Sequence, residues 1–192
     1  MTKLPPRTAL ALATLAAALA SPALARAAEA GELLQNVELR DGSDKAARIP
    51  DFGVKVLALF YTDADEKDMN DPLADAIKAR KFEEQRYRGL GVVNLADSKA
   101  PNFLIRRAVR EKIEKYKSTI LTDPDRLLAK AWKLGDCNNT SVFILIGSDG
   151  KVVHAQRGPI RGDDIAKIVE QIAQLVAPAT PAAPTAAPAP AP

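Results

Sequence analysis

The middle of the chain alternates between short continuous apolar runs and amphipathic stretches. Val54 to Tyr61 (VKVLALFY) is nearly all apolar. A run of that length suits a central strand covered on both faces. Val142 to Ile146 is a second such run, and Val92-Val93 and Thr119 to Leu121 mark two shorter strands. The spacing of Leu73, Ala76 and Ile77 predicts a helix with Asp71 as its cap and Pro72 at its first position. From about Pro101, Ile105, Ala108, Val109, Ile113 and Tyr116 follow the helical period, with Lys112 as the one polar interruption. Leu127, Leu128, Ala131 and Trp132 mark a short helix. Ile165, Ile168, Val169, Ile172 and Val176 mark a longer one that opens at Gly162-Asp163. Asn36 to Leu39 alternates before the turn pair Asp41-Gly42, and Ser148-Asp149-Gly150 turns into Lys151 to Ala155 as a hairpin. Thr62 to Asp71 is polar and acidic and reads as a loop.

Strands that alternate with helices imply parallel pairing through right-handed crossovers. A closing hairpin followed by one helix makes the sheet mixed. The expected fold class is therefore α/β: a thioredoxin-like three-layer α/β/α sandwich with a central mixed sheet and a short β-rich N-terminal extension.

The two ends read differently. Residues 1–25 have Lys3 and Arg7 at the start, an Ala/Leu-rich run from Thr8 to Ala20, and Ala23-Leu24-Ala25 after Pro22. This is the pattern of an export signal, and the run is short of the ~20 residues a membrane span needs. Cleavage after Ala28 or Ala30 is an alternative to cleavage after Ala25. The expected location is the bacterial periplasm, with no stable membrane span after cleavage. Residues 26–31 are expected as a linker, 32–176 as the domain, and 177–192 as a disordered tail of Ala, Pro and Thr alone.

Composition narrows the chemistry. The 192 residues carry 27 Lys+Arg against 24 Asp+Glu, a formal charge of +3. Bulk charge therefore gives no reason to expect nucleic acid as a partner. One cysteine, Cys137, rules out an internal disulfide framework and any intact CxxC. One histidine, His154, rules out a multi-histidine centre within one chain. No cofactor is expected.

The stretch from Leu121-Thr122-Asp123-Pro124 through Ala131-Trp132-Lys133-Leu134 to Val142-Phe143-Ile144-Leu145-Ile146 and Asp149-Gly150-Lys151 resembles the peroxiredoxin and TlpA-like branch of the thioredoxin superfamily. With Val93-Asn94-Leu95-Ala96-Asp97 and the helix Asn102 to Tyr116, the chain more closely resembles the YtfJ family of small exported bacterial proteins, over roughly residues 32–176. The resemblance implies the fold and brings no activity with it. It does locate a departure. Redox-active members carry a cysteine pair after the first core strand, a position that falls here at Asp65-Glu66-Lys67-Asp68. Carboxylates and an ammonium cannot replace a thiolate in disulfide exchange. The superfamily's cis-proline position falls at Thr140 or its neighbour.

Candidate sites follow. Asp65, Glu66, Lys67, Asp68, Cys137 and Thr140 are binding candidates at the degenerate reactive corner, with no catalytic residue assigned. Cys137 is expected near the Asp63 to Asp68 loop, its reactivity slowed by nearby acids. Asp63, Asp65 and Asp68, beside Asn70 and Asp71, are weak metal candidates, since Lys67 fills a ligand slot and the EF-hand glycine and distal glutamate are missing. The basic series Arg106, Arg107, Arg110, Lys112, Lys115 and Lys117 reads as a solvated helix face, since Glu111 and Glu114 interleave. His154 reads as structural, and Trp132 and Tyr116 as core or rim. The expected role is a redox-inactive binding or envelope-support module for an unidentified periplasmic protein or small ligand. The alternatives are a single-thiol redox adaptor using Cys137 and a metal carrier using the 63–71 loop.

Overall fold

A computed structural model describes residues 28–178. The export-signal reading of residues 1–25 and all but the first two residues of the 177–192 tail lie outside that range. The described residues build one seven-stranded mixed sheet in the order β2-β1-β5-β4-β3-β6-β7. The thioredoxin-like α/β expectation is met.

β3 (Val56–Asp63) is an interior strand, paired along its length on both sides. It pairs in parallel with β4 (Tyr87–Asn94), from Val56 opposite Tyr87 to Asp63 opposite Asn94. β5 (Thr119–Asp123) continues the parallel set, ending with Asp123 opposite Asn94. β6 (Ser141–Ile146) runs antiparallel on the other side of β3, and β7 (Val152–Arg157) closes that edge as the hairpin partner. At the far edge β1 (Glu38–Arg40) and β2 (Ala46–Arg48) form the N-terminal hairpin, joined to β5 at Arg40 opposite Thr122.

Alternate side chains of a strand face opposite ways, so β3 feeds two cores. Leu57, Leu59 and Tyr61 join Leu90, Val92, Leu121, Val142 and Ile144, under Leu128 of α3 (Leu127–Ala131) and Trp132. Val56, Ala58 and Phe60 join Phe143 and Leu145 on the opposite face. Leu73 and Ile77 of α1 (Asp71–Ala79) cover them, with Ile168, Val169 and Ile172 of α4 (Asp163–Val176). α2 (Asn102–Tyr116) lies across β4 and β5 more loosely. Only Val109 of its side chains is buried, and Ile105 and Val109 face Gly91 and Ile120 across a recess.

Three local expectations change. The helix at Pro72 is capped at Asn70, with Asp71 and Pro72 its first two residues. The Asn70 side chain is drawn away from the helix: its amide donates to Gly158 O at 3.2 Å and its oxygen accepts from Ile160 N at 2.9 Å. Asp71 keeps a favourable place beside the positive end of the helix. Second, Tyr116 leaves the buried stripe of α2 and stands 54% exposed, with Lys115 Nζ 5.0 Å from its ring centroid. Third, the segment expected as a linker takes part in the fold. Ala28 is buried, and Gly31 N donates to Val152 O at 2.7 Å.

Candidate functional site

The three parallel strands end level with one another. Their last residues, Asp63, Asn94 and Asp123, lie side by side in register and are fully buried. Ligands of open α/β sheets bind outside the carboxyl ends of the strands, so this row defines the corner to inspect.

A buried carboxylate must be hydrogen-bonded or paired. Asp63 Oδ1 accepts from Asp65 N at 3.0 Å, and Oδ2 accepts from Asn139 N at 2.7 Å. Asp123 Oδ1 accepts from Leu127 N at 2.8 Å. Its Oδ2 accepts from Leu128 N at 2.9 Å and from the Tyr61 hydroxyl at 3.1 Å. Burial pushes the Tyr61 hydroxyl well above the usual tyrosine range, and the Asp123 charge adds to it. Asn94 Oδ1 accepts from Ala96 N, and its amide donates to Asp97. Asp97 also takes a two-point contact from the Arg126 guanidinium. Burial alone would raise the Asp97 pKa, but its bonds to Arg126 and Asn94 outweigh burial and hold it below the usual carboxylate range. Thus the loops after β3, β4 and β5 and the loop before β6 are fastened to the strand ends by carboxylates.

The residues at the degenerate cysteine position stand above this row. Asp65 and Glu66 lie on a 3-10 turn, Ala64–Glu66. Asp65 accepts at 3.4 Å from Ser98 Oγ and Lys99 N, which are long contacts. Lys67 and Asp68 pair with each other at the surface. That bond holds Asp68 below and Lys67 above their usual ranges. Lys112 Nζ approaches Asp68 at 3.9 Å. Thr140 contributes backbone: its carbonyl accepts from Asp63 N at 3.0 Å and extends the β3–β6 ladder. Among the described residues no peptide bond is cis.

The loop with Cys137 does approach Asp63, through Asn139, but the thiol turns inward. Cys137 is 2% exposed, and its Sγ lies 3.6 Å from Gly135 O and 3.8 Å from Leu134 O. Arg157 ties down the same loop through Leu134 O and Asp136 O. Burial pushes the thiol pKa up, and the Arg157 guanidinium pulls it partly back. Asp136 and Asp97 add smaller upward contributions, so the expected acid effect is secondary to burial. The candidates also divide between two recesses with no shared residue. Asp63 and Lys67 line one beneath α2, and Cys137 lines another with Asp97, Arg126 and Asp136. The carboxylates of Asp63, Asp65 and Asp68 face separate partners. Among the described residues no group of three or more His, Cys, Asp or Glu converges to hold a metal ion.

Sequence reasoning passed over Asn94, Asp97, Asp123 and Arg126 as site residues. The signal was present: Asn94 and Asp123 each close an apolar strand, and in a parallel set such residues line up at the carboxyl end of the sheet.

The fold and this corner place the chain among thioredoxin-like proteins. The exposed lipoprotein thioredoxin of Streptococcus pneumoniae superposes with a TM-score of 0.54 at 18% identity, covering 71% of this chain and 99% of its own. The thioredoxin domain of a thiol-disulfide oxidoreductase from Bacteroides vulgatus gives 0.52 at 18%, covering 74% and 96%. A thiol-disulfide isomerase from Corynebacterium glutamicum gives 0.54 at 14%, also covering 74% and 96%. Within that class the chain belongs to the family described as "Bacterial protein of unknown function (YtfJ_HI0045)", whose model matches residues 27–175. It is 23% identical over 125 residues to "Uncharacterized protein YtfJ" of Escherichia coli strain K12, covering 64% of this chain and 67% of that protein. Its structural neighbours are named for thiol-disulfide chemistry. This chain has one cysteine and cannot close the intramolecular disulfide that a dithiol exchange requires.

Proposed function

We propose that this protein is an exported periplasmic module that uses a redox-inactive thioredoxin-like scaffold to bind a partner or support the cell envelope. One observation carries the reading. At the end of the sheet where a thiol pair would act, buried carboxylates fasten the loops together. A fastened corner presents Asp65, Glu66, Lys67 and Asp68 as a preorganised surface, which lowers the ordering cost of recognition. The partner is a periplasmic protein or a small ligand that meets this mixed-charge surface. The export reading rests on residues 1–25. The place of Ala28 in the core favours removal of the signal after Ala25 over Ala28 or Ala30. Use of Cys137 as a single-thiol centre would require the loop around it to open, because the thiol is buried.

The test is photo-crosslinking in intact cells from positions 65 and 66, with position 38 on β1 as the remote control. A specific adduct from the corner that charge reversal at Asp68 abolishes is the expected result. Disulfide reductase or peroxidase turnover by the purified protein overturns the reading, as does an adduct pattern identical to the control.

A further inference from the structure

At the end of the sheet opposite Asp63, the starts of β4 and β5 meet the C-terminal ends of α1 and α2. A cleft of about 340 Å³ opens there, lined by Lys55, Lys78, Lys81, Arg88 and Lys117, with Glu84 as its one carboxylate. Asp51 holds Lys55 at 3.1 Å and Arg88 at 2.5 Å. Among the described residues, no carboxylate lies within ion-pair distance of Lys78, Lys81 or Lys117.

Basic residues near helix C-termini have an ordinary cause, because each helix end carries about half a negative charge. Two helix ends together with Asp51 and Glu84 set roughly three negative charges against the five cations. A surplus of about two positive charges remains.

The backbone fixes where two of these lysines stand. Lys81 and Lys117 have φ of 51° and 52°. Lys117 follows directly on α2 and Lys81 lies two residues past the end of α1, both at left-handed positions where glycine is favoured because it has no Cβ to strain. Each side chain is exposed and packs into no core, yet both line the same cleft.

The cleft also has a built floor. Tyr87 lies along β4 with its hydroxyl over Gly89, where a Cβ would come within 2.9 Å of that oxygen. Arg88 is fixed by Asp51 and by a 3.2 Å bond from its Nη1 to the Thr119 hydroxyl.

We propose that this cleft binds a phosphomonoester, with the phosphate among Lys78, Lys81 and Lys117 and the organic group along Tyr87. The phosphate of such an ester carries about −1.5 to −2 at pH 7, which matches the surplus charge. The volume leaves room beyond the phosphate for the ester's organic group. The site is independent of the reading given to the carboxylate corner.

The test titrates the purified chain calorimetrically with glycerol phosphate, and in a second arm with phosphatidylcholine vesicles containing phosphatidic acid. Sulfate serves as the competing dianion. Saturable binding is expected. It should weaken about tenfold or more in the double variant Lys81→Gly/Lys117→Gly, since each ammonium makes a charge-assisted contact. That variant keeps its fold, because glycine relieves both left-handed positions, and its thermal midpoint should not fall below that of the parent. Lys130→Ala, outside the cleft, should bind as the parent does. Binding to vesicles alone supports the same headgroup chemistry from a membrane source. Absence of binding in both arms, a double variant that binds as well as the parent, or equal affinity for sulfate and glycerol phosphate overturns the proposal.

Discussion

Asp63 accepts the backbone N–H of Asn139 at 2.7 Å, so the buried end of β3 holds the loop that carries Cys137. Its other oxygen holds the turn at Asp65. One carboxylate thus fixes both loops that would frame a thiol site in a redox-active relative.

The first prediction concerns that carboxylate. Asp63→Ala leaves the N–H groups of Asp65 and Asn139 without their acceptor in two part-buried bonds, and it empties a fully buried position; a buried group so orphaned costs about 1–3 kcal/mol. Water entering the emptied volume offsets part of this, so the expected loss is about 2–4 kcal/mol. Asp63→Asn keeps one acceptor oxygen and should lose about half as much. By contrast, Asp65→Asn disturbs only 3.4 Å contacts and should stay within about 0.5 kcal/mol. Urea midpoints check all three. A parent-like midpoint for Asp63→Ala would mean that the loops are held by something else.

The second prediction concerns the thiol. Reactivity follows the thiolate, and burial both shields Cys137 and raises its pKa. In the folded protein at pH 8, alkylation by iodoacetamide should be at least about tenfold slower than in denaturant, because it waits on local opening. Arg157→Ala removes the cation that lowers this pKa and frees Leu134 O and Asp136 O. The loop then opens more readily, so alkylation should become faster even though the thiol itself is less acidic. A slower rate in that variant would show that Arg157 acts on the thiol's charge more than on the loop.

Much of this fold was legible because it is apolar and periodic. The run ending at Tyr61 and the run Val142 to Ile146 became β3 and β6, and the stripe Ile165 to Val176 became α4. The corner was less legible for a physical reason. Thr62 and Asp63 look like the start of a loop because they are polar, yet they complete β3, with Asp63 facing inward. Asp123 looks like a turn residue and is the last residue of β5. A buried polar side chain breaks the hydrophobic pattern, and its compensation is mixed: Asp65 N, Leu127 N and Leu128 N are near in sequence, whereas Asn139 N and the Tyr61 hydroxyl reach their carboxylates from far along the chain. No local period reports them. Lys112 was legible as an interruption of its stripe, and the structure places it beside the recess under α2, within 3.9 Å of Asp68.

A third prediction follows from Asp97 and gives a pH dependence with a fixed sign. The folded pKa of Asp97 lies below its unfolded value of about 3.9. Its contribution is therefore complete above about pH 4 and is lost as the pH falls through the folded value. In Arg126→Ala the carboxylate stays buried and keeps only Asn94, so its pKa rises and the acid-side loss begins at higher pH. At neutral pH the variant should be only modestly less stable than the parent, because the guanidinium it removes is half exposed and screened by solvent. Urea midpoints from pH 7 down to about pH 2.5 separate the two proteins. Acid limbs that run parallel throughout would show that the pair does not set the pKa.

The last prediction concerns how the N-terminal segment is held. Trp132 is 1% exposed, its ring centroid lies 6.1 Å from that of Phe52, and its indole N–H bonds Gln35 O. The same segment is laid against the β6–β7 hairpin through Gly31 N to Val152 O and Leu34 N to Gly150 O. Trp132→Phe removes the indole donor and leaves Gln35 O without it, while the smaller ring leaves a void under the sheet. Together these should cost about 2–3 kcal/mol. The two contributions can be told apart by place. A void weakens the whole core, whereas loss of the anchor frees the segment first. Hydrogen exchange at Gly31 and Leu34 should therefore accelerate by more than the change in global stability accounts for, while the β3 amides follow global stability alone. If both sets accelerate equally, Trp132 serves the core as volume and the segment is held by its backbone bonds to the hairpin.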